Sequence, residues 1–291
     1  DFTVCYTYPS TIGSFCTKDG SLRVTKLPNR FDSAAVSGAG PGQVSLTTGA
    51  LSLDETDFSQ SIGFDALSVS RSYQKGFIPA TTQESLFGPN WQSTVSTDAS
   101  MINAYTLTDE GQKVFHLDDG SETALSYSYD STTGFTALSD EAVNAQLSLT
   151  LNANTLQVIE ADGAETVFTR SNSGQWRATC ARTGPTSQVV LTSYTTDGLV
   201  STIGYGGSSA TCASTLVGNQ NLSFTYLTIT GQKRLSKISY SGFDPATSAL
   251  KTTDEVQYFY TNSGILNKVT NLPNGLSTEY SYDSTNRLET V

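Results

Sequence analysis

Apolar and polar residues alternate in short runs along most of the 291-residue chain. In "VSLTTGALSL" (44–53), Val44 and Leu46 are answered by Leu51 and Leu53 across Thr48-Gly49, the pattern of a hairpin. The same alternation returns in "LSVSRSY" (67–73), "AYTLTDEGQKVFHLDDGSE" (104–122), "LSLTLNANTLQVIEADGAETVFTR" (147–170) and "SGQWRATC" (173–180). Gly111, Gly120, Gly163 and Gly174 stand where the chain must reverse. No stretch of ten or more residues keeps a helical apolar period. The pattern predicts an all-β chain of consecutive antiparallel hairpins forming a wide curved sheet, with connections of about two to six residues. Residues 1–43, with three prolines and a small-residue tail, fall outside it. They are expected to form an irregular cap or linker ahead of a sheet region spanning 44–291.

A longer period lies over the alternation. Tyr282 is followed six residues on by Leu288 and three further by Val291; Tyr260, Leu266 and Val269 repeat the offsets, as do Tyr194, Val200 and Ile203, and Tyr129, Phe135 and Leu138. Tyr226 leads to Leu235 and Ile238 with three extra residues in the turn. An aromatic usually stands two positions earlier, at Tyr127, Phe224, Tyr258 and Tyr280. Two residues apart on a strand is one face, so each unit is expected to present a pair of aromatic side chains to which the next strand's aliphatic residues return. A lone hairpin of this size is marginal, and edge-to-edge neighbours supply what it lacks.

The unit "YSYDSTNRLETV" resembles the tyrosine-aspartate repeat of the rearrangement-hotspot (RHS) family, Tyr-x-Tyr-Asp-x-x-Gly-Arg-Leu. Tyr280, Tyr282, Asp283, Arg287 and Leu288 match, and Asn286 replaces the glycine. Asn tolerates a left-handed conformation, so the turn is expected to survive. Asp130 occupies the Asp283 position of the Tyr127 and Tyr129 copy. The stretches 44–53, "LSVSRSYQKGF" (67–77) and "LFGPNWQST" (86–94) are similar, in order, to the start of that family's repeat shell, with Gly88-Pro89-Asn90-Trp91 departing at the second glycine. The resemblance implies part of a hollow β-shell that encloses or displays a C-terminal passenger. It also implies that the sheet runs on past Val291, where the best-matched unit has barely begun its second strand. The family's self-cleavage is not implied, because the sole Asp-Pro, Asp244-Pro245, lies mid-chain.

Charge narrows the partners. A net charge of −11 repels nucleic-acid backbones and anionic membranes. No apolar run approaches the roughly 20 residues of a membrane span. The four cysteines form two local pairs, Cys5 with Cys16 and Cys180 with Cys212, with neither zinc nor redox spacing. Three pairings are open and the local one is expected, which points to an oxidising, extracellular setting.

Candidate chemistry is sparse. His116 beside Asp118 and Asp119 is the sole histidine and reads as a packing residue next to a turn. Trp91 and Trp176 read as core rather than a sugar platform, and Asn221-Leu222-Ser223 is a sequon. No nucleophile elbow, phosphate loop or dinucleotide fingerprint occurs. The expectation is a non-catalytic structural segment without cofactor or metal, whose partners are the rest of its own chain or a passenger. The rivals are an adhesin binding carbohydrate or protein, and a fibre subunit self-associating through sheet edges.

Overall fold

A computed structural model describes residues 4–7, 14–17, 36–46, 50–62, 65–75, 86–93, 106–118, 124–186, 189–205, 212 and 220–291. The chain divides into two compact units, Asp1–Ser33 and Ala34–Val291. In the first, β1 (Val4–Thr7) and β2 (Ser14–Thr17) form an antiparallel hairpin that sets Cys5 opposite Cys16 in register. The side chains of that hairpin, and with them the expected Cys5–Cys16 bond, lie outside the described residues. The segment before 44 is thus not irregular throughout. The unit boundary also falls ahead of the expected one, because β3 (Val36–Ala39) pairs with β4 (Gly42–Ser45) in the second unit.

The second unit is nearly all antiparallel β. One sheet runs β3, β4, β5 (Leu51–Ile62), β6 (Asp65–Gln74) and β7 (Trp91–Ser93), with the hairpin read at 44–53 appearing as the pairing of Val44 with Leu51. A second holds β8 (Thr106–Glu110), β9 (Val114–Asp118), β10 (Leu125–Asp130) and β11 (Gly134–Ala137).

The third sheet has eleven strands in chain order. They are β12 (Ser148–Asn152), β13 (Thr155–Ile159), β14 (Glu165–Arg170), β15 (Trp176–Arg182), β16 (Val190–Tyr194) and β17 (Val200–Tyr205). There follow β18 (Gln220–Ile229), β19 (Gln232–Asp244), β20 (Ala249–Tyr260), β21 (Leu266–Asn271) and β22 (Ser277–Glu279). A last pair, β23 (Ser281–Tyr282) and β24 (Leu288–Thr290), continues the hairpins. The order begins at β12 and ends at β22 without returning, so the sheet is open and not a closed barrel.

The chain is not helix-free as its pattern suggested. Among the described residues one helical turn, α1 (Asp140–Asn144), stands between β11 and β12. The Ser139 hydroxyl accepts from the Ala142 amide, and Asp140 and Glu141 occupy the first turn, so it is capped and charged as helix starts are. At five residues it is too short to show a period.

Strand alternation puts most apolar side chains of the large sheet on one face, where two clusters lie side by side. Leu156, Val158, Phe168, Trp176 and Ala178 pack with Leu107, Phe115, Leu117 and Tyr127 of the four-stranded sheet. Val200, Ile203, Leu222, Phe224, Leu235, Ile238, Val256, Tyr258, Leu266 and Val269 pack with Leu53, Val69, Tyr73 and Trp91 of the five-stranded sheet and with Leu86 and Phe87 just ahead of β7. Among the described residues, β15 and β16 pair in register only at Cys180 with Leu191 and Ala181 with Val190, where one cluster gives way to the other. On the opposite face there, Cys180 is bonded to Cys212 over Val167, Val189 and Leu191. That bond ties β15 to the connection between β17 and β18 across an intervening hairpin.

Candidate functional site

The tyrosine spacing has a direct structural meaning. Tyr194 is paired across its hairpin with Val200, Tyr226 with Leu235, Tyr260 with Leu266 and Tyr282 with Leu288. In each case the register shifts by one residue immediately before the tyrosine. This β-bulge brings the residue three further on opposite the earlier position, so that Val269 faces Tyr258 and Ile238 faces Phe224. The Tyr129 copy pairs with Phe135 without a bulge, so Ala137 takes the place opposite Tyr127 and Leu138 turns outward, 55% exposed. Tyr127, Tyr129 and Asp130 therefore belong to the four-stranded sheet and its separate core, where the Tyr127 hydroxyl donates to the Ala142 carbonyl at 3.0 Å.

The turns show two units that carry no tyrosine. Asp283 N–H donates to Arg287 O, Thr261 to Ile265, Thr195 to Leu199, Ser171 to Gln175 and Glu160 to Ala164, at 2.7–2.9 Å. Three residues into these turns stand Asn286, Gly264, Gly198, Gly174 and Gly163, all at positive φ, from 59° at Asn286 to 87° at Gly163. A left-handed residue is required there, which glycine and asparagine supply at least cost. Asp283, Thr261, Thr195 and Ser171 also accept the closing amide on a side-chain oxygen at 2.9–3.2 Å. Asp283 takes the Arg287 Nε as well, at 2.6 Å, and these bonds hold its carboxyl below the usual carboxylate range. Backbone bonds from Thr132 and Thr133 lower Asp130 in the same way. In the 171–175 unit, Arg170 and Trp176 fill the Tyr and Leu positions and are paired in register. A search keyed on tyrosine passes over them, whereas the Gly at the third turn position was the available signal.

Successive units are tied by tyrosine hydroxyls. Tyr282 donates to the Leu266 carbonyl (2.7 Å), Tyr260 to Leu235 (2.6 Å), Tyr226 to Val200 (2.6 Å) and Tyr194 to Ala178 (2.6 Å). Each hydroxyl reaches back to the closing strand of the preceding unit, and three of the four acceptors are the aliphatic partners of the preceding tyrosine. The ladder satisfies buried hydroxyls and fixes the register of each unit on the last.

The front segment closes over this ladder. Arg71 on β6 and Asp57 on β5 form a buried ion pair at 2.9 Å, their side chains 1% and 4% exposed. The Tyr258 hydroxyl donates to Asp57 Oδ2 at 2.8 Å, and Arg71 Nη2 donates to the Tyr280 hydroxyl at 2.7 Å. The guanidinium carbon lies 4.6 Å from the Trp91 ring centre and 5.1 Å from that of Tyr280, and Nη1 is buried without a hydrogen-bond partner. Trp91 Nε1 donates to the Tyr282 hydroxyl at 2.9 Å. Leu86 O receives both Leu235 N–H and the Tyr260 hydroxyl, at 3.0 and 3.2 Å. The Tyr73 hydroxyl receives Leu288 N–H at 2.9 Å, and Asn90 and Lys75 donate to the Asn286 and Thr285 carbonyls. One short sheet thus grips three successive units.

The electrostatics follow from burial. Burial alone would lower the Arg71 pKa, but the Asp57 carboxylate and Tyr280 outweigh it and hold it above its usual range. Burial, then the Asp57 charge, raises Tyr258 well above the ordinary tyrosine range, and burial does the same for Tyr260 and Tyr282. A folded pKa above the unfolded one means the native state holds the proton more tightly. That stability is fully present below about pH 10, the ordinary tyrosine value, and falls as pH rises beyond it. Tyrosinate absorbance near 295 nm is therefore expected to rise in one steep step that coincides with loss of the β circular-dichroism signal; a smooth titration with structure intact counts against it.

The other singled-out residues are dispersed. His116 on β9 holds Ser126 Oγ at 2.9 Å and faces Glu110 at 3.4 Å; Asp118 is on the same strand, and Asp119 lies outside the described residues. Among the described residues, no three metal-ligating side chains cluster. Trp91 and Trp176 are both buried, and Trp176 Nε1 donates to Asp109. Asn221 lies on β18, its Oδ1 3.5 Å from the Ser223 hydroxyl. No helix of the described residues is long and apolar enough to cross a membrane.

Residues 42–125 match the model of a family described as a domain of unknown function, DUF6531. The match begins at the first residue of β4 and includes Asp57, Arg71 and Trp91. No curated protein matches the chain.

Proposed function

We propose that this chain is a non-catalytic, extracellular wall segment of RHS type, in which hairpins stacked along one sheet enclose or display a C-terminal passenger. The observation that carries the reading is the hydroxyl ladder together with its clamp. Every tyrosine of the six-plus-three spacing from 194 onward uses its polar atom to hold the neighbouring unit or the front sheet, and none is turned to solvent as a binding aromatic would be. An adhesin of the rival kind places aromatics on an accessible surface, and both tryptophans here are core. The Cys180–Cys212 bond supports an oxidising compartment.

The test uses the intact gene product that carries this chain. Native protease treatment is expected to leave a C-terminal portion uncut, and the same portion is expected to become cleavable once the tyrosine core is melted. A C-terminal portion cut at the same rate before and after melting overturns the reading.

A further inference from the structure

Asn274 stands before Gly275 in "NLPNGLS" (271–277), and no other asparagine in the chain precedes a glycine. The pair occupies the turn that joins β21 to β22, and residues 273–277 are all exposed. Gly275 has a φ of +71°, and no atom lies within 4 Å of where a β-carbon would stand on it. Its nitrogen is thus flanked by neither a side chain of its own nor a packed neighbour.

The turn folds the Asn274 amide back over its own backbone. Asn274 Oδ1 accepts the Leu276 N–H at 2.9 Å, two residues on, which draws the side-chain carbon toward the intervening Gly275 nitrogen. A donor on that oxygen favours the negative charge that gathers there when a nucleophile adds to the carbon. Against this, Gly275 N–H donates to the Asn271 carbonyl at 2.9 Å, and that bond must open first. It is a single exposed turn bond, and opening it slows the step by about tenfold at most. Asn90, Asn221 and Asn286 instead precede Trp91, Leu222 and Arg287, each of which sets a large side chain beside the nitrogen that would attack.

We infer that Asn274 is a self-modification site, at which the chain deamidates and reroutes its own backbone with water as the only reagent. The Gly275 nitrogen gives its proton to solvent base and bonds to Asn274 Cγ. The Cγ–Nδ2 bond breaks, and the side-chain nitrogen leaves as ammonia, protonated by water. Water then opens the cyclic succinimide at one of its two carbonyl carbons. Addition at Cγ returns an ordinary aspartate; addition at the main-chain carbonyl carbon of residue 274 gives isoaspartate, whose backbone runs through Cβ and Cγ.

Isoaspartate puts a further main-chain atom into a turn closed by Asn271 N–H to Leu276 O and Gly275 N–H to Asn271 O, both at 2.9 Å. β22 leads from this turn directly into Tyr280, whose N–H is bonded to Asn267 O and whose hydroxyl takes Arg71. The modification therefore loosens the strand that delivers a clamp tyrosine.

The full 291-residue chain is aged in mildly alkaline buffer made with heavy-oxygen water, then mapped by mass spectrometry and by isoaspartyl methyltransferase labelling. Residue 274 is expected to take up heavy oxygen on the order of tenfold faster than any other asparagine, since glycine alone leaves the attacking nitrogen unhindered. Isoaspartate is expected to be the larger product. In the converted protein, amides of 277–280 are expected to exchange about tenfold faster than in fresh protein, the loss of a turn hydrogen bond. Asn274→Gln, which needs a larger and slower-forming ring, is expected to age without either change and with unaltered circular dichroism. Conversion at 274 no faster than at other asparagines, or conversion confined to chain unfolded in urea, overturns the inference. Ordinary aspartate alone overturns the rerouting, and unchanged exchange at full conversion overturns the loosening.

Discussion

Asp57→Ala is expected to lower folding stability by about 3–5 kcal/mol, because it removes the counter-ion of a guanidinium held out of water. Arg71 has no alternative carboxylate among its described contacts. Its remaining partners are the Tyr280 hydroxyl and two ring faces. The Tyr258 hydroxyl loses its acceptor in the same change. The informative companion is Arg71→Met combined with Asp57→Leu, which replaces the pair by apolar groups of similar volume. Such replacements of buried pairs are often neutral or stabilising. Here two tyrosine hydroxyls stay behind, each costing about 1–3 kcal/mol if buried unpaired, so the double variant is expected to recover more than half of the single variant's loss rather than all of it. Urea midpoints of the three proteins decide. An Asp57→Ala variant within about 1 kcal/mol of the parent would mean that the pair behaves like a surface ion pair, and the clamp would lose its energetic basis.

That clamp was the part of the site least visible in the chain. The alternation of Val44, Leu46, Leu51 and Leu53 exposes the hairpin because a hairpin is local, and its register is written within ten residues. The six-plus-three tyrosine spacing was legible for the same reason: it is the length of one turn plus one bulge. It failed at Leu138, where the same letters occur without the bulge, since nothing in the side-chain pattern encodes a one-residue register shift. It also passed over Arg170 and Trp176, which keep the backbone turn and replace the aromatic pair. Arg71 stood in the sequence as one polar residue of an alternating strand. Its partner Tyr280 is 209 positions away, and no periodicity reaches that far. Burial of Asp57, Arg71 and the ladder together follows only from the small sheet folding back over the large one.

Trp91→Ala is expected to split the unfolding transition in two. The side chain is fully buried, stacks on Arg71, meets Tyr73 and Tyr280 edge-on at 5.3 Å each, and donates to Tyr282. Its truncation is expected to cost about 3–5 kcal/mol, by lost burial and by the cavity left behind. That loss falls on the core shared by the five-stranded sheet and the strands from β16 onward. The neighbouring core around Trp176 has its own four-stranded cover, and among the described residues the seam between the two is thin: two register pairs between β15 and β16, the Tyr194–Ala178 hydrogen bond and the Cys180–Cys212 bond. Because the chain has two tryptophans, the variant leaves Trp176 as the sole tryptophan reporter, excited apart from the tyrosines and placed on the far side of that seam. Its fluorescence is expected to hold its midpoint in urea while circular dichroism records an earlier loss of strand signal. Were the Trp176 transition to move down with the rest, the continuous backbone ladder would outweigh the thin seam, and the two cores would have to be treated as one cooperative unit.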